Sequence, residues 1–373
     1  MNWWQKLSKN KLARIGASIL IVFYLSVIFA DFIAPYSPYA AQEDGSLLPP
    51  TAIHWRNSEG NWTAPFVYPT TQGKTDLETG DRLLIIDQDN PAPLRLLVPG
   101  EAYNLFEISL PLPPKFETVT LFPGIPLNRH LFGTLGSGKI NILGTDEQGR
   151  DLFSRLLFGG RISLFIGLAG ITVSYPLGML IGGISGYFGG WVDALIMRLV
   201  EVLMTIPGIY LLIALASVLP PGLSSAQTFL LIVLITSFIS WSGLARVVRG
   251  QVLSIKEQEF VQAANAMGAN PIYIIVRHIL PQTATYIIIS ATLAVPGFII
   301  AESVLSLIGL GIQSKDPSWG NLLSSATNAS IIVLQPWLIV PPALLIILTV
   351  LAFNLLGDGL RDALDPRSLY QNK

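Results

Sequence analysis

Long stretches without a charged side chain constrain the fold of this chain more than any other feature. Asp, Glu, Lys and Arg are all absent from residues 15–30, 162–192, 202–245, 278–301 and 317–357. A helix that crosses a membrane needs about 20 mostly apolar residues. Only 13% of the 373 residues are charged, against about 25% in soluble domains. The pattern predicts an all-α polytopic membrane protein.

These stretches predict six transmembrane helices. The stretch 202–245 is interrupted by Pro220-Pro221-Gly222, a turn signal, and so divides into two helices. A cleaved signal peptide is the alternative for the first stretch, but the small-residue A-x-A cleavage pattern is missing, and we expect an uncleaved span. The predicted helices lie near residues 12–32, 162–185, 194–218, 226–247, 283–309 and 333–356.

Basic residues predict the orientation. Lys6, Lys9, Lys11 and Arg14 precede the first predicted helix, and the first acidic residue is Asp31. By the positive-inside rule the N-terminus lies in the cytoplasm, and six crossings return the C-terminus to the same side. We therefore expect residues 1–11 and the tail 358–373 to be cytoplasmic.

The segment between the first two helices, residues 33–142, is expected outside the cytoplasm and is the least membrane-like part. Short apolar runs such as 83–86 and 94–98 lie between Pro, Gly and Asp turns, which is typical of short strands. A β-rich extracytoplasmic insert is one interpretation, and an irregular Pro-rich loop is the other. Gly73-Lys74-Thr75 resembles the end of a phosphate-binding loop, but Tyr68 stands where the first glycine belongs, so we reject that site.

A patterned loop, residues 250–282, joins the fourth and fifth helices. Residues 254–267 are predicted to be helical, with Ser254 as N-cap and Glu257 completing a capping box. An apolar stripe follows at helical spacing; it consists of Phe260, Val261, Ala264 and Met267.

Gly268 is predicted to end that helix, Pro271 to begin a second short one, and Pro281 to precede the fifth span. Two short helices of this kind form a compact knob that can enter a groove of a cytoplasmic partner. The alternative is an amphipathic helix lying on the membrane surface.

Within this loop, Gln262-Ala263-Ala264, Gly268 and Leu280-Pro281 resemble the EAA loop of bacterial ABC importer permeases. Gln262 stands where that family has Glu. Four further segments resemble the second, C-type permease of the dipeptide/oligopeptide/nickel subfamily: 143–164, 186–208, 301–323 and 350–367. Residues 40–140 have no counterpart among these motifs.

The resemblance implies a permease domain at 143–357 with five transmembrane helices and an ATPase-coupling loop at 250–282. The residues that it assigns to coupling are Glu259, Gln262, Ala263, Ala264, Gly268 and Pro281. It implies an importer of peptides or related small solutes in the bacterial inner membrane. A nickel-chelate or glycoside importer of the same family remains open, as do an ion-coupled secondary transporter and a scaffold protein.

The resemblance also implies the partners: a second homologous permease, two cytoplasmic ATP-binding subunits, an extracytoplasmic solute-binding protein and membrane lipid. The chain itself is expected to hold no catalytic residue and no cofactor, with ATP and Mg bound by the partner subunits. A net charge of −1 argues against nucleic acid as a partner, and three histidines without any cysteine argue against a metal site.

Glu302 lies within the fifth apolar stretch, where a carboxyl group is costly and is functional or paired by default. We expect it to face the bundle interior or a water-filled path, with Ser303 and Ser306 as further path candidates. The alternative is a helix-end residue hydrogen-bonded to its neighbours. Gly178 and Gly182 have the GxxxG spacing that allows two helices to pack closely.

Overall fold

The computed structural model describes residues 3–57, 60–75, 82–112, 117–136, 138–220 and 222–364. Pro221 of the predicted turn and the end of the predicted tail, with Arg367 and Lys373, lie outside the described residues. The helices are α1 Trp3–Lys9, α2 Lys11–Ile28, α3 Ala30–Ile33, α4 Leu152–Phe188, α5 Gly190–Thr205, α6 Gly208–Ser217, α7 Ser225–Ile255, α8 Glu259–Ala266, α9 Pro271–Ile274, α10 Ala284–Leu307, α11 Trp319–Leu322, α12 Ala329–Leu334 and α13 Val340–Leu364.

Within the described ranges, five helical segments are long and apolar enough to cross a membrane, or six if a bent pair counts as one span. They are Lys11–Ile28, Leu152–Phe188, Ser225–Ile255, Pro271–Leu307 and Pro336–Leu364. The bent pair is α5 and α6, which meet at 87°. The architecture is thus the predicted helical bundle, with five or six spans.

The third predicted helix, 194–218, is not continuous. Ile206 and Pro207 separate α5 from α6, and both have extended backbone, with ψ of 125° at each. Proline lacks the N–H that a helix interior needs and disfavours helical geometry in the residue before it. The predicted single helix was wrong for this local reason.

The predicted helix near 162–185 begins ten residues earlier, at Leu152, because Asp151 caps it. Oδ2 of Asp151 accepts a hydrogen bond from the backbone N–H of Ser154 at 2.7 Å, which satisfies one free donor of the first turn. Arg155 and Arg161 therefore lie inside α4. Charge-free stretches delimit the apolar part of a helix, not the helix itself.

The loop between the fourth and fifth spans also differs from its prediction. Helix α7 continues through Ser254 to Ile255, so the predicted capping box at Ser254 and Glu257 was wrong; α8 begins at Glu259 after Gln258. Pro271 does begin a helix. That helix continues through a π turn and a 3₁₀ turn containing Pro281 into α10, so the second short helix is the start of the fifth span.

Glycines bring α4 and α7 together. A Cβ atom added at Gly182 would lie 2.5 Å from the carbonyl oxygen of Ala245, and one at Gly178 would lie 2.9 Å from that of Trp241. Any side chain at either position would force the helices apart. The predicted close packing through the GxxxG spacing is confirmed.

The segment between α3 and α4 is rich in strands. They are β1 His54–Arg56, β2 Trp62–Val67, β3 Thr70–Thr75, β4 Arg82–Ile86, β5 Ala92–Leu105, β6 Ile108–Leu112, β7 Glu117–Phe122 and β8 Ile125–Thr134. Strands β1-β2-β5-β8 form an antiparallel sheet, and β3–β4 and β6–β7 form separate pairs. Gly73-Lys74-Thr75 lies in β3, which agrees with its rejection as a phosphate loop.

Candidate functional site: the α8–α9 segment and the polar core of α10

The α8–α9 segment, residues 259–281, packs on the ends of α4 and α7. Val261 and Ala264 of α8 are buried in one cluster with Val252 of α7 and Ile275 of the following π turn. Their i, i+3 spacing places both side chains on one face of α8. The segment is thereby fixed to the bundle by its own core.

The turn between α8 and α9 has a defined geometry. Gly268 has φ of +79°, a conformation that costs glycine little and other residues more. The side chain of Asn270 then accepts a hydrogen bond from the N–H of Ile272 at 2.9 Å and caps α9. The predicted roles of Gly268 as a helix terminator and of Pro271 as a helix start agree with this geometry.

Outside the face formed by Val261 and Ala264, the residues of α8 are exposed. Ala263 and Met267 lie one helical turn apart on this exposed surface, and Met267 is 81% exposed. Tyr273 of α9 is also exposed. A small residue beside exposed apolar ones gives a surface that a partner can approach closely.

The predicted coupling residues divide between the two faces. Ala264 is buried within the chain, whereas the other five are exposed: Glu259, Gln262, Ala263, Gly268 and Pro281. Nε2 of Gln262 donates to the carbonyl oxygen of Glu257 at 3.1 Å. This residue, which stands where the EAA pattern has Glu, is therefore held against the chain's own backbone.

An ion pair that the sequence analysis missed joins three helices at this end of the bundle. Nε of Arg249 in α7 donates to Oδ1 of Asp193 in α5 at 2.6 Å, and the hydroxyl of Ser185 in α4 donates to the same oxygen at 2.5 Å. Asp193 and Arg249 are 56 residues apart in the sequence, so no local spacing predicts that they pair. It fixes the relative positions of the helices on which α8 packs.

Glu302 is fully buried, and serine hydroxyl groups surround its carboxyl group. Ser306 and Ser318 each donate to Oε1 at 2.7 Å, and Ser163 of α4 donates to Oε2 at 3.5 Å. The same hydroxyls accept backbone N–H groups, from Ile312 to Ser306 and from Trp319 to Ser163, both at 3.0 Å. Glu302 therefore links α10 to α4 and to the start of α11.

This geometry agrees with the expectation that Glu302 faces the bundle interior. Ser303 and Ser306 are also buried, and Ser303 donates to the carbonyl oxygen of Ile299 in its own helix. In this conformation the side chains of Glu302, Ser303 and Ser306 form hydrogen bonds with other groups of the same chain. Their participation in a translocation path stays a prediction.

A cavity of about 390 Å³ lies beside α10, between α6 and α7. Its wall is mostly apolar but includes four hydroxyl side chains, those of Tyr175, Thr236, Ser240 and Tyr286. Ala301 and Val304 of α10 line it, next to the buried Glu302 cluster. Such a wall suits a solute that carries both apolar and hydrogen-bonding groups.

A second charged cluster lies at the other end of α4. Arg150 and Arg155 both contact Oδ2 of Asp146, at 2.8 and 3.3 Å, and both donate to the carbonyl oxygen of Ser314. Asp151 beside them is buried, and this burial raises its pKa to about 7. The cluster holds the loop after α10 against the start of α4.

Two family models and one solved structure match parts of this chain. A family model described as binding-protein-dependent transport system inner membrane component matches residues 176–370, and one described as the N-terminal TM domain of oligopeptide transport permease C matches residues 2–50. The structure of the MetNI methionine ABC transporter in an inward-facing conformation covers 55% of this chain and 92% of its own, with 18% identity and a TM-score of 0.41.

Two curated relatives are similar over long ranges. The oligopeptide transport system permease protein OppC of Haemophilus influenzae is 45% identical over 227 residues, 61% of this chain and 70% of the relative. The dipeptide transport system permease protein DppC of Bacillus subtilis is 32% identical over 364 residues, 98% of this chain and 84% of the relative. That alignment includes most of residues 40–140, for which the sequence motifs had found no counterpart.

The long apolar helices and these matches define a transport component of a bacterial inner membrane. The chain belongs to the family of binding-protein-dependent transport system inner membrane components. The family resemblance and the inner-membrane location predicted from the sequence are confirmed.

Proposed function

We propose that this chain is one permease subunit of an ATP-driven peptide importer, and that the α8–α9 segment is its contact with separate ATPase subunits. The proposal rests on one observation: the segment has a buried face and an exposed face. One face is buried in the bundle through Val261 and Ala264, and the other presents Ala263 and Met267 outward. A partner that moved the outer face would also move α10, because the chain is helical from Pro271 to Leu307.

In this proposal both termini and the α8–α9 segment lie in the cytoplasm, and the strand-rich insert lies outside. The basic residues before the first span support this orientation. ATP and Mg bind to the partner ATPase subunits. A second permease completes the solute path, and a solute-binding protein delivers the solute from outside. The description of the matched family, which names dependence on a binding protein, supports the second of these partners.

Peptides are the proposed solute because relatives that cover most of the chain are named as oligopeptide and dipeptide permeases. The cavity beside α10 supports this choice through its four hydroxyl side chains, whose oxygen atoms can accept hydrogen bonds from peptide N–H groups. Glu302, Ser303 and Ser306 remain proposed residues of the translocation path, since they lie on α10 beside Ala301 and Val304 of the cavity wall.

Co-purification tests the coupling surface. In the Ala263→Arg variant, a long charged side chain on the outer face blocks close approach without disturbing the buried face. The matched control is Ala52→Arg, also at an exposed alanine but in the insert. We expect Ala263→Arg to lose the ATPase subunits on purification from the membrane and the control to retain them. Equal recovery of ATPase with both variants would refute the coupling role.

A further inference from the structure

A groove of about 640 Å³ lies between the first span and the strand pair β5–β8. Eight of its nine lining residues are apolar, and they include Val22, Leu25, Phe29, Leu127 and Leu131. The ninth is Ser26, whose hydroxyl donates to the carbonyl oxygen of Phe23 at 2.8 Å. The lining side chains therefore offer a ligand no unpaired polar group.

The strand pair is held against the end of α2. The rings of Phe29 and Phe106 meet edge to face with 5.3 Å between their centroids. Near this contact, several large apolar side chains of the insert are exposed: Leu121, Phe122, Ile125 and Leu127. Clustered apolar exposure of this kind marks a surface that another apolar phase covers.

Charged groups locate the groove relative to the membrane. Arg161 forms an ion pair with Asp31 and donates from Nε to the carbonyl oxygen of Val27 at 2.8 Å, so it caps the end of α2. Val22 lies six residues before Ile28, about 9 Å further into the span at 1.5 Å per residue. The groove therefore extends from the charged end of the helix into its apolar part.

The groove is continuous with the membrane-facing side of the first span. Ile21, Val22 and Leu25 of α2 are exposed and belong to a segment apolar enough to cross a membrane. In a bilayer these side chains contact lipid, and Val22 and Leu25 also line the groove. The same lipid phase reaches the strand pair without crossing a polar boundary.

We propose that acyl chains of membrane lipid fill this groove, and that the β5–β8 end of the insert is embedded at the membrane surface. The insert is then attached to the bilayer as well as to the helices. This anchoring does not depend on which solute is transported or on the proposed coupling to ATPase subunits.

Site-directed spin labelling tests the proposal, and the chain has no cysteine that would interfere. Neighbouring residues of a strand face opposite sides, so Leu127→Cys reports on the groove side and Asn128→Cys on the other side of β8. The full-length chain, with the subunits that co-purify, is reconstituted in phospholipid vesicles. Collision rates with oxygen, which partitions into lipid, and with a water-soluble nickel chelate are then compared.

We expect the label at residue 127 to collide mainly with oxygen and the label at residue 128 mainly with the nickel chelate. The ratio of the two rates at 127 should exceed that at 128 several-fold. A label at 127 that favours the nickel chelate would show a water-filled groove. Low collision rates with both reagents at 127 would show that protein covers it. Either result overturns the lipid assignment.

Discussion

Ser318 donates its hydroxyl hydrogen to Oε1 of Glu302 at 2.7 Å, and so ties the loop after α10 to the interior of that helix. The same hydroxyl accepts the N–H of Asn321 at 3.1 Å and caps α11. One buried carboxyl group therefore orders a helix, a loop and the start of the next helix. This arrangement accounts for an acidic residue inside an otherwise apolar stretch.

Removal of this carboxyl group should destabilise the bundle. Glu302→Ala leaves the hydroxyls of Ser306 and Ser318 without their acceptor and opens a cavity, which we expect to cost about 3 kcal/mol. Glu302→Gln keeps one acceptor oxygen, so its stability should lie between that of the unmodified chain and that of Glu302→Ala. Thermal unfolding in detergent gives the melting temperatures of the three proteins. An unchanged melting temperature for Glu302→Ala would contradict a structural role for Glu302.

The contact between α4 and α7 gives a second prediction. Gly182→Ala places a Cβ against the carbonyl oxygen of Ala245 and should destabilise the chain by about 1–3 kcal/mol. Gly243→Ala is the matched control in α7, because its added Cβ meets no atom within 4 Å. Helix propensity alone favours alanine at both sites. Similar melting temperatures for the two variants would contradict the close packing.

Asp151 predicts a pH dependence. Its folded pKa is raised to about 7 from an ordinary 3.8 because the carboxyl group is buried. Between these values the folded state binds more protons than the unfolded state, so stability falls as pH rises from about 4 to about 7. In Asp151→Asn this part of the slope should disappear, while the amide oxygen still caps α4. Melting temperatures of both proteins between about pH 4 and about pH 7 test this prediction. If they depend on pH in the same way, Asp151 is not the titrating group.

The cavity beside α10 predicts a separation of transport from assembly. Ser240→Trp fills part of the cavity, so peptide uptake should fall strongly while the ATPase subunits still co-purify. Ser217→Trp is a comparable change at an exposed residue outside the cavity lining and should leave uptake nearly unchanged. Normal uptake by Ser240→Trp would place the solute path elsewhere.

Sequence alone predicted much of this bundle, because apolar stretches of membrane-spanning length admit few structures. It misjudged helix ends where charged residues continue a helix, as Arg155 does by pairing with Asp146. Pro207 itself indicates the break between α5 and α6, but the uncharged stretch around it favoured a single helix. The partners of Glu302 were not predictable, since Ser163 lies 139 residues away and only the tertiary packing joins them.

The α8–α9 segment was also predicted correctly in some features and wrongly in others. Gly268 and Pro271 were assigned correctly because backbone conformation is a local property of these residue types. The start of α8 was not, because Ile255, one residue past the expected cap at Ser254, packs against the cluster of Val248 and Val252 and so continues the apolar face of α7. Which face of α8 is buried depends on contacts with α7 and α9, which local patterns do not specify.

ATP-dependent uptake of a labelled peptide tests whether this chain is the permease of a peptide importer coupled through the α8–α9 segment. The transport complex is reconstituted in vesicles with its solute-binding protein, and uptake is compared for the unmodified chain, Ala263→Arg and Ala52→Arg. We expect uptake that needs ATP, is competed by unlabelled peptides but not by a nickel chelate or a glycoside, and is lost in Ala263→Arg alone. Full uptake by Ala263→Arg, or uptake that continues without ATP, would contradict it.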